Sequence, residues 1–242
     1  MLLTSCAEDA GKKSSITVAV ASNFTATAKE IANEFETESG IEVVLISGST
    51  GKLATQIQQG APFDVFLSAD QKAPALLLAK DHAVRETQIT YAIGRLALFS
   101  RSPDFVDISR GFKESPTVQH LAIANPDLAP YGRAARETLQ ALNQWDHFEN
   151  RLVRGESISQ AWHFVESGNA DVGFVAVSQL SETQREQAWI VPRELHSSIE
   201  QDAILIEDDP AARSFLEYLQ SPSAQKKLQQ HGYELPPPLH AE

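Results

Sequence analysis

ITVAVASNFTATAKEIANEFETESG, residues 16–40, sets the architecture. Ile16–Ala21 is a run of small and β-branched residues, which reads as a buried strand. Beyond it Phe24, Ala28, Ile31 and Phe35 recur at spacings of four, three and four, the stripe of one apolar helix face. Gly40 stops that helix, because glycine adopts a left-handed cap without a steric penalty. A buried strand that passes directly into an amphipathic helix is the first half of a βαβ unit.

The same alternation continues outward. Val43–Ile46 is a second strand, Leu53 and Ile57 mark a short helix closed by Gly60, and Val65–Leu67 is a third strand. Asp70 is placed to cap a helix through Leu76–Leu78. Leu121–Ala124, a helix from about Gly132 to Leu142, a helix from Ile158 to Ser167, and Val172–Val175 repeat the pattern. Ala203–Ile206 is a late strand; Pro210 opens a helix containing Phe215, Leu216 and Leu219, and Ser221–Gln230 forms another that ends at Gly232. Tyr91–Ser100, YAIGRLALFS, is a longer β-like run suited to carry the chain between two domains. The expectation is an α/β protein with parallel sheets, two units of similar size and a ligand cleft between them. In open parallel sheets ligands sit beyond the carboxyl ends of the strands.

The totals agree with such a protein. The chain has 242 residues, enough for one large or two small domains with a real core. Its net charge of −12 argues against a nucleic-acid partner and against capture of anions by general electrostatics. No apolar run approaches the roughly 18 residues of a spanning helix. Cys6 is the only cysteine, so there is no intramolecular disulfide and no cysteine-based metal cluster. The seven histidines are scattered, none paired at i,i+4, and no metal site is expected. Leu3-Thr4-Ser5-Cys6 resembles a bacterial lipobox, with a polar stretch Ala7–Ser15 behind it. Residues 1–15 therefore read either as the remnant of a secretion signal with Cys6 as the lipid-bearing residue, or as a tail in which Cys6 is incidental.

Four strand-to-helix turns carry the chemistry. They lie in ITVAVASNF (16–24), VVLISGSTGKLA (43–54), IANPDLAPYGRAA (123–135) and VRGESISQAW (153–162). Each places hydroxyl-bearing, small or glycine residues where a helix begins, and a helix N-terminus with spare N–H donors is an anion site. Ser22 and Asn23 either cap the following helix or aim a side chain at a ligand. Ser47-Gly48-Ser49-Thr50-Gly51 offers hydroxyls and amides that allow close approach, but it lacks the P-loop pattern and so does not suggest a nucleotide. Tyr131, behind Pro130, either packs or presents its hydroxyl at a helix start. Ser157-Ile158-Ser159-Gln160 has the form of a capping box, which leaves the Ile158 amide free. Lys52 and Arg133 read as surface residues or weak steering charges. No serine stands at motif spacing from a base, and there is no Gly-x-Ser-x-Gly, so no catalytic set emerges.

GAPFDVFLSAD (60–70), with ASNF, SGSTG, NPDLAPYG and GYELP, resembles the periplasmic molybdate-binding proteins of ABC importers, within the type II solute-binding fold. The likeness runs from about Ile16 to Leu235. It implies capture of molybdate or tungstate by hydrogen bonds and delivery to the membrane subunits of an ABC permease. It implies an extracytoplasmic monomer with no cofactor and no catalysis. It places ligand donors on Ser22, Asn23, Ser49 and Thr50 from one domain, and on Tyr131 and the amide of Ile158 from the other. Some members supply a tyrosine from a later strand, where this chain has Ala176 in GFVAV; Tyr131 would supply the phenol instead. The resemblance also implies a discontinuous first domain, 14–92 plus 200–242, with 93–199 inserted as the second. The same fold with another small ligand, such as sulfate, thiosulfate or an organic acid, or an enzyme or sensor on this scaffold, are the alternatives.

Overall fold

The computed structural model describes residues 15–112 and 118–237. The expectation for Cys6, and for residues 1–14 in general, lies outside that range. In chain order the elements are β1 (Ser15–Ala21), α1 (Thr25–Ser39), β2 (Glu42–Gly48), α2 (Thr50–Gln58), β3 (Val65–Leu67), α3 (Lys72–Ala79), β4 (Ile89–Gly94), β5 (Leu96–Phe99), β6 (Val106–Asp107), β7 (Gly111–Phe112), β8 (Leu121–Ala124), α4 (Pro130–Ala141), α5 (Trp145–Phe148), β9 (Leu152–Gly155), α6 (Ile158–Glu166), β10 (Val172–Ala176), α7 (Glu182–Glu186), β11 (Trp189–Ile190), β12 (Ile199–Leu205), α8 (Pro210–Tyr218) and α9 (Pro222–Gln230). A single 3-10 turn, Ser22–Phe24, joins β1 to α1.

Two five-stranded sheets organise these elements, in the orders β2-β1-β3-β12-β4 and β11-β5-β10-β8-β9. The chain leaves the first sheet at Gly94 and enters the second at Leu96, with only Arg95 between, and it returns at Ile199. Tyr91–Ser100 is thus the crossing that its β-like composition suggested. Each sheet is the floor of its own core. One core centres on Leu96, Phe99, Ile123, Leu139 and Phe174. The other centres on Val18, Phe24, Ile31, Phe35 and Phe215, with a satellite around Leu53, Ile57 and Phe66 on the opposite face. The predicted stripe of α1 is buried as a unit, and Gly40 caps the helix at φ 71°, donating its amide to Glu36 O at 2.9 Å.

The sheets are mixed, not parallel throughout as expected. β1 pairs in parallel with β2 and β3, and β8 pairs in parallel with β9 and β10. β12 runs antiparallel to β3 and β4, and β5 antiparallel to β10 and β11. The antiparallel members are the strands by which the chain passes between sheets. A strand that arrives from the neighbouring unit has no helical crossover to turn it, so the parallel-sheet rule does not govern it.

Candidate functional site

The turns behind β1, β2, β8 and β9 meet at one cavity of about 10 Å3, space for the centre of roughly one water. Ser22 and Asn23, Ser49 and Thr50, Tyr131, and Ile158 all line it, together with Ala21, Ala69, Ala129 and Pro130. Every one of the six residues singled out from the sequence is therefore brought to the same place. Larger depressions of about 720 and 200 Å3 are also present. The second adjoins this cavity, sharing Ala69 and Pro130 and reaching the starts of α3 and α4, but it lacks Ser22, Ser49, Thr50 and Ile158. Size does not mark the site here; the convergence of the four turns does.

The local sequence explains the geometry. Thr50 opens α2, Pro130 and Tyr131 open α4, and Ile158 and Ser159 open α6, and first-turn amides have no intrahelical acceptor. Of these amides Gly51 N is taken across the cleft by Leu128 O at 3.0 Å. The approach is close, since a Cβ there would lie 3.1 Å from Leu128 O. The hydroxyls are arranged as donors. Thr50 Oγ1 accepts from Ala69 N at 3.1 Å, so its hydrogen is free to turn toward the cavity. Ser49 is 4% exposed, and its buried Oγ has no hydrogen-bond partner among the described residues. Tyr131 is 1% exposed, and its Oη accepts from Gln201 Nε2 at 3.2 Å. Burial holds the Tyr131 phenol well above its ordinary pKa, with the neighbouring Tyr233 adding to the effect, so it stays a proton donor.

Several expectations for these turns need correction. Neither Ser22 nor Asn23 caps α1 through its side chain. Asn23 instead turns inward, and its Nδ2 donates to Gln201 Oε1 and to Tyr233 Oη, both at 3.0 Å. Both amide hydrogens are thereby used inside the protein and are not aimed at a ligand. The box at Ser157 is half formed. Ser157 Oγ accepts from Gln160 N at 3.3 Å, but Gln160 Oε1 takes Glu156 N at 2.6 Å and not Ser157 N. Asp70 does cap α3, accepting from Ala73 N at 2.9 Å, although Gln71 is the residue flanking the helix.

Lys52 and Arg133 are not free surface charges. Lys52, on α2, pairs with Glu156 ahead of α6, and Arg133, on α4, pairs with Asp70 behind β3. Each pair joins the two sheets' halves. Ser159 Oγ donates to Ser22 O at 3.1 Å and Ser178 Oγ to Asn23 O at 3.0 Å along the same seam. The halves are closed on each other.

Sequence reasoning missed the layer beneath the cavity: Gln201, Tyr91, Tyr233 and Ser178. Gln201 and Asp202 are polar residues inside β12, and they hid the strand's first half, which had been expected to begin at Ala203. No local signal marks Gln201, because it sits in a polar run, Glu200-Gln201-Asp202, within the strand. Among the described residues no group of three or more His, Cys, Asp or Glu is placed to hold a metal ion.

Residues 16–234 match the family of bacterial extracellular solute-binding proteins. The chain belongs to that family. It is 41% identical over 239 residues to the molybdate-binding protein ModA of Azotobacter vinelandii, covering 96% of this chain and 94% of that one. It is 43% identical over 221 residues to the protein of the same name from Rhodobacter capsulatus, covering 90% and 87%. The solved Azotobacter vinelandii periplasmic molybdate-binding protein superposes with a TM-score of 0.87 at 35% identity, covering 92% of this chain and all of that one. The sulfate-binding protein SubI from Mycobacterium tuberculosis H37Rv shares the fold of this solute-binding protein at a TM-score of 0.74 and 15% identity.

Proposed function

We propose that this solute-binding protein captures molybdate in the cavity between its halves and hands it to the membrane permease of an ABC importer, outside the cytoplasm. The observation that carries this is the buried Ser49 Oγ, with no partner among the described residues, at a cavity that Ser22, Thr50 and Tyr131 also line and that no charged side chain lines. A buried hydroxyl without a partner costs stability unless something arrives to accept its hydrogen. Molybdate is a tetrahedral dianion with oxygen acceptors on every side and no proton at neutral pH, which suits a cavity lined by hydroxyls and helix-start amides with no charged side chain. Ser22, Ser49, Thr50 and Tyr131 offer hydroxyls, and the first-turn amides of α2 and α6, Ile158 among them, add partial positive charge.

Residues 14–92 with 200–242, and 93–199, act in this proposal as the two closing domains. Opening is required for loading, because the closed cavity has room for about one water. Each charge-assisted hydrogen bond contributes about 1.5–3 kcal/mol, and several together reach the roughly 8 kcal/mol of micromolar binding or better. Tungstate, of nearly the same size, binds comparably, whereas smaller sulfate fills the rigid ring of amides poorly. The protein acts as a monomer, needs no cofactor, and carries its ligand without transforming it. Cys6, if lipidated in the native host, would anchor it, and intact mass decides that point. Titration calorimetry with molybdate, tungstate, sulfate and phosphate tests the function. Absence of heat with molybdate, or equal affinity for sulfate, rejects it.

A further inference from the structure

Gln201 lies on β12, wholly buried, where the register against β4 shifts between Gln201 and Asp202. Its Oε1 accepts from Asn23 Nδ2 at 3.0 Å and from Tyr91 Oη at 3.1 Å, while its Nε2 donates to Tyr131 Oη at 3.2 Å. The direction of this chain is fixed from its far end, by a backbone carbonyl that can only accept. Asn23 O lies 3.0 Å from Ser178 Oγ and 2.9 Å from Tyr233 Oη, and those two hydroxyls are 3.0 Å apart. Ser178 donates to that carbonyl, and the single Tyr233 hydrogen is divided between the carbonyl and Ser178 Oγ. Tyr233 therefore has none left for the Asn23 side chain, which must turn its NH2 toward Tyr233. The same nitrogen faces Gln201, so Gln201 must answer with Oε1 and keep Nε2 for Tyr131. The Tyr131 oxygen is thereby engaged as an acceptor, and its own hydrogen finds no acceptor among the described residues.

We infer that Gln201 is a positioning residue that fixes the Tyr131 phenol as a donor toward the cavity, so that the site selects oxyanions carrying no proton of their own. This rests on the proposed oxyanion function. A protonated oxyanion such as hydrogen phosphate must donate its hydrogen, and a phenol held by Gln201 cannot turn to accept it.

The test is calorimetric affinity for molybdate and phosphate in the wild type, Gln201→Glu, Gln201→Met, Tyr131→Phe and the Gln201→Glu/Tyr131→Phe double variant, with melting curves to verify folding. A carboxylate at 201 accepts from Tyr131 and reverses the phenol, so Gln201→Glu is expected to weaken molybdate binding about 100-fold. Methionine leaves the phenol free to donate, so Gln201→Met should lose less than about 10-fold. A merely structural role predicts the opposite order, because methionine leaves Asn23 Nδ2 with only Tyr233 Oη and Tyr91 Oη with only Ser68 O, while glutamate keeps their bonds to residue 201. In the Tyr131→Phe background the glutamate should cost less than about 10-fold, since there is no phenol to reverse. A full loss in that background means plain charge repulsion and overturns the inference, as does Gln201→Met binding as poorly as Gln201→Glu. Should Gln201→Glu fail to fold, Gln201→Met decides alone. Its preference for molybdate over phosphate should shrink about tenfold, because the freed phenol can accept, and an unchanged ratio overturns the inference. A wild type that binds no molybdate removes the functional proposal itself; a wild type that binds, with the variants in the wrong order, removes only this one.

Discussion

Ser49→Ala should make the unliganded protein more stable and a poorer binder, two effects of opposite sign from one atom. Ser49 sits at the N-cap position of α2, yet its side chain does not cap the helix, and its buried Oγ has no partner among the described residues. Alanine therefore removes no hydrogen bond from the unliganded fold. It removes a stranded hydroxyl, whose burial costs about 1–3 kcal/mol. Taking about 1 kcal/mol, the variant should melt roughly 2–4 °C higher for a chain of this length. With ligand the balance reverses. A hydroxyl donating to a charged oxygen contributes about 1.5–3 kcal/mol, and about 2 kcal/mol corresponds to roughly 30-fold in Kd. At molybdate about 1,000 times the wild-type Kd, binding stabilises the wild type by about 4 kcal/mol but the variant by only about 2 kcal/mol. The melting curves should therefore cross, with the variant above the wild type without molybdate and below it with molybdate. Differential scanning calorimetry in the two conditions reads both effects from one sample. A variant that melts below the wild type without ligand, and gains the same increment from molybdate, would refute the assignment of Ser49 Oγ as a ligand donor.

Tyr131→Phe should weaken molybdate binding by about 1–2 kcal/mol; an unchanged calorimetric Kd would show that the phenol does not reach the ligand. Burial raises the pKa of Tyr91, Tyr131 and Tyr233 above the ordinary phenol value of 10.0. Folded and unfolded phenols are both neutral below that value, so these groups add no pH dependence between about pH 6 and 9. Above about pH 10 only the unfolded phenols ionise, and melting temperature should fall as pH rises further. Arg133→Ala opens the partly buried pair with Asp70 and should speed molybdate release a few-fold while leaving association nearly unchanged, read by stopped-flow fluorescence. Gly94→Ala would place a Cβ 2.2 Å from Tyr131 Oη and 2.6 Å from Gln201 Nε2. It should weaken binding more than Tyr131→Phe does, since the ring itself must move.

The turns were legible because a strand end, a small residue and a helix start leave a local signature. Ser22, Ser49, Thr50, Tyr131 and Ile158 could each be found within a window of ten residues. The layer beneath them could not, because its members come from remote positions: Asn23 meets Gln201 at a separation of 178 residues and Tyr233 at 210. Nothing local marks a tyrosine near the C-terminus as part of a site near the start. The pairing of Arg133 with Asp70 was invisible for the same reason, and so was the antiparallel course of β12, which follows from the chain's return and not from its composition. Periodicity reports what one element buries; it is silent on which distant element it buries it against.

A net charge of −12 and the proposed anion site made without cations are compatible for a reason the seam makes clear. The residues lining the cavity carry no formal charge, and the nearby cations Lys52 and Arg133 are neutralised by Glu156 and Asp70. A free lysine or arginine at the cavity would attract sulfate and phosphate as readily as molybdate, because a point charge rewards charge alone. Fixed hydroxyls and helix amides reward shape and protonation state as well. Placing the two ion pairs between the halves, and not on the ligand, makes their attraction available only on closure, so they favour the closed state whichever anion is inside. On the proposed function, discrimination between anions falls to the donors, and the ion pairs set how long the chosen anion is held.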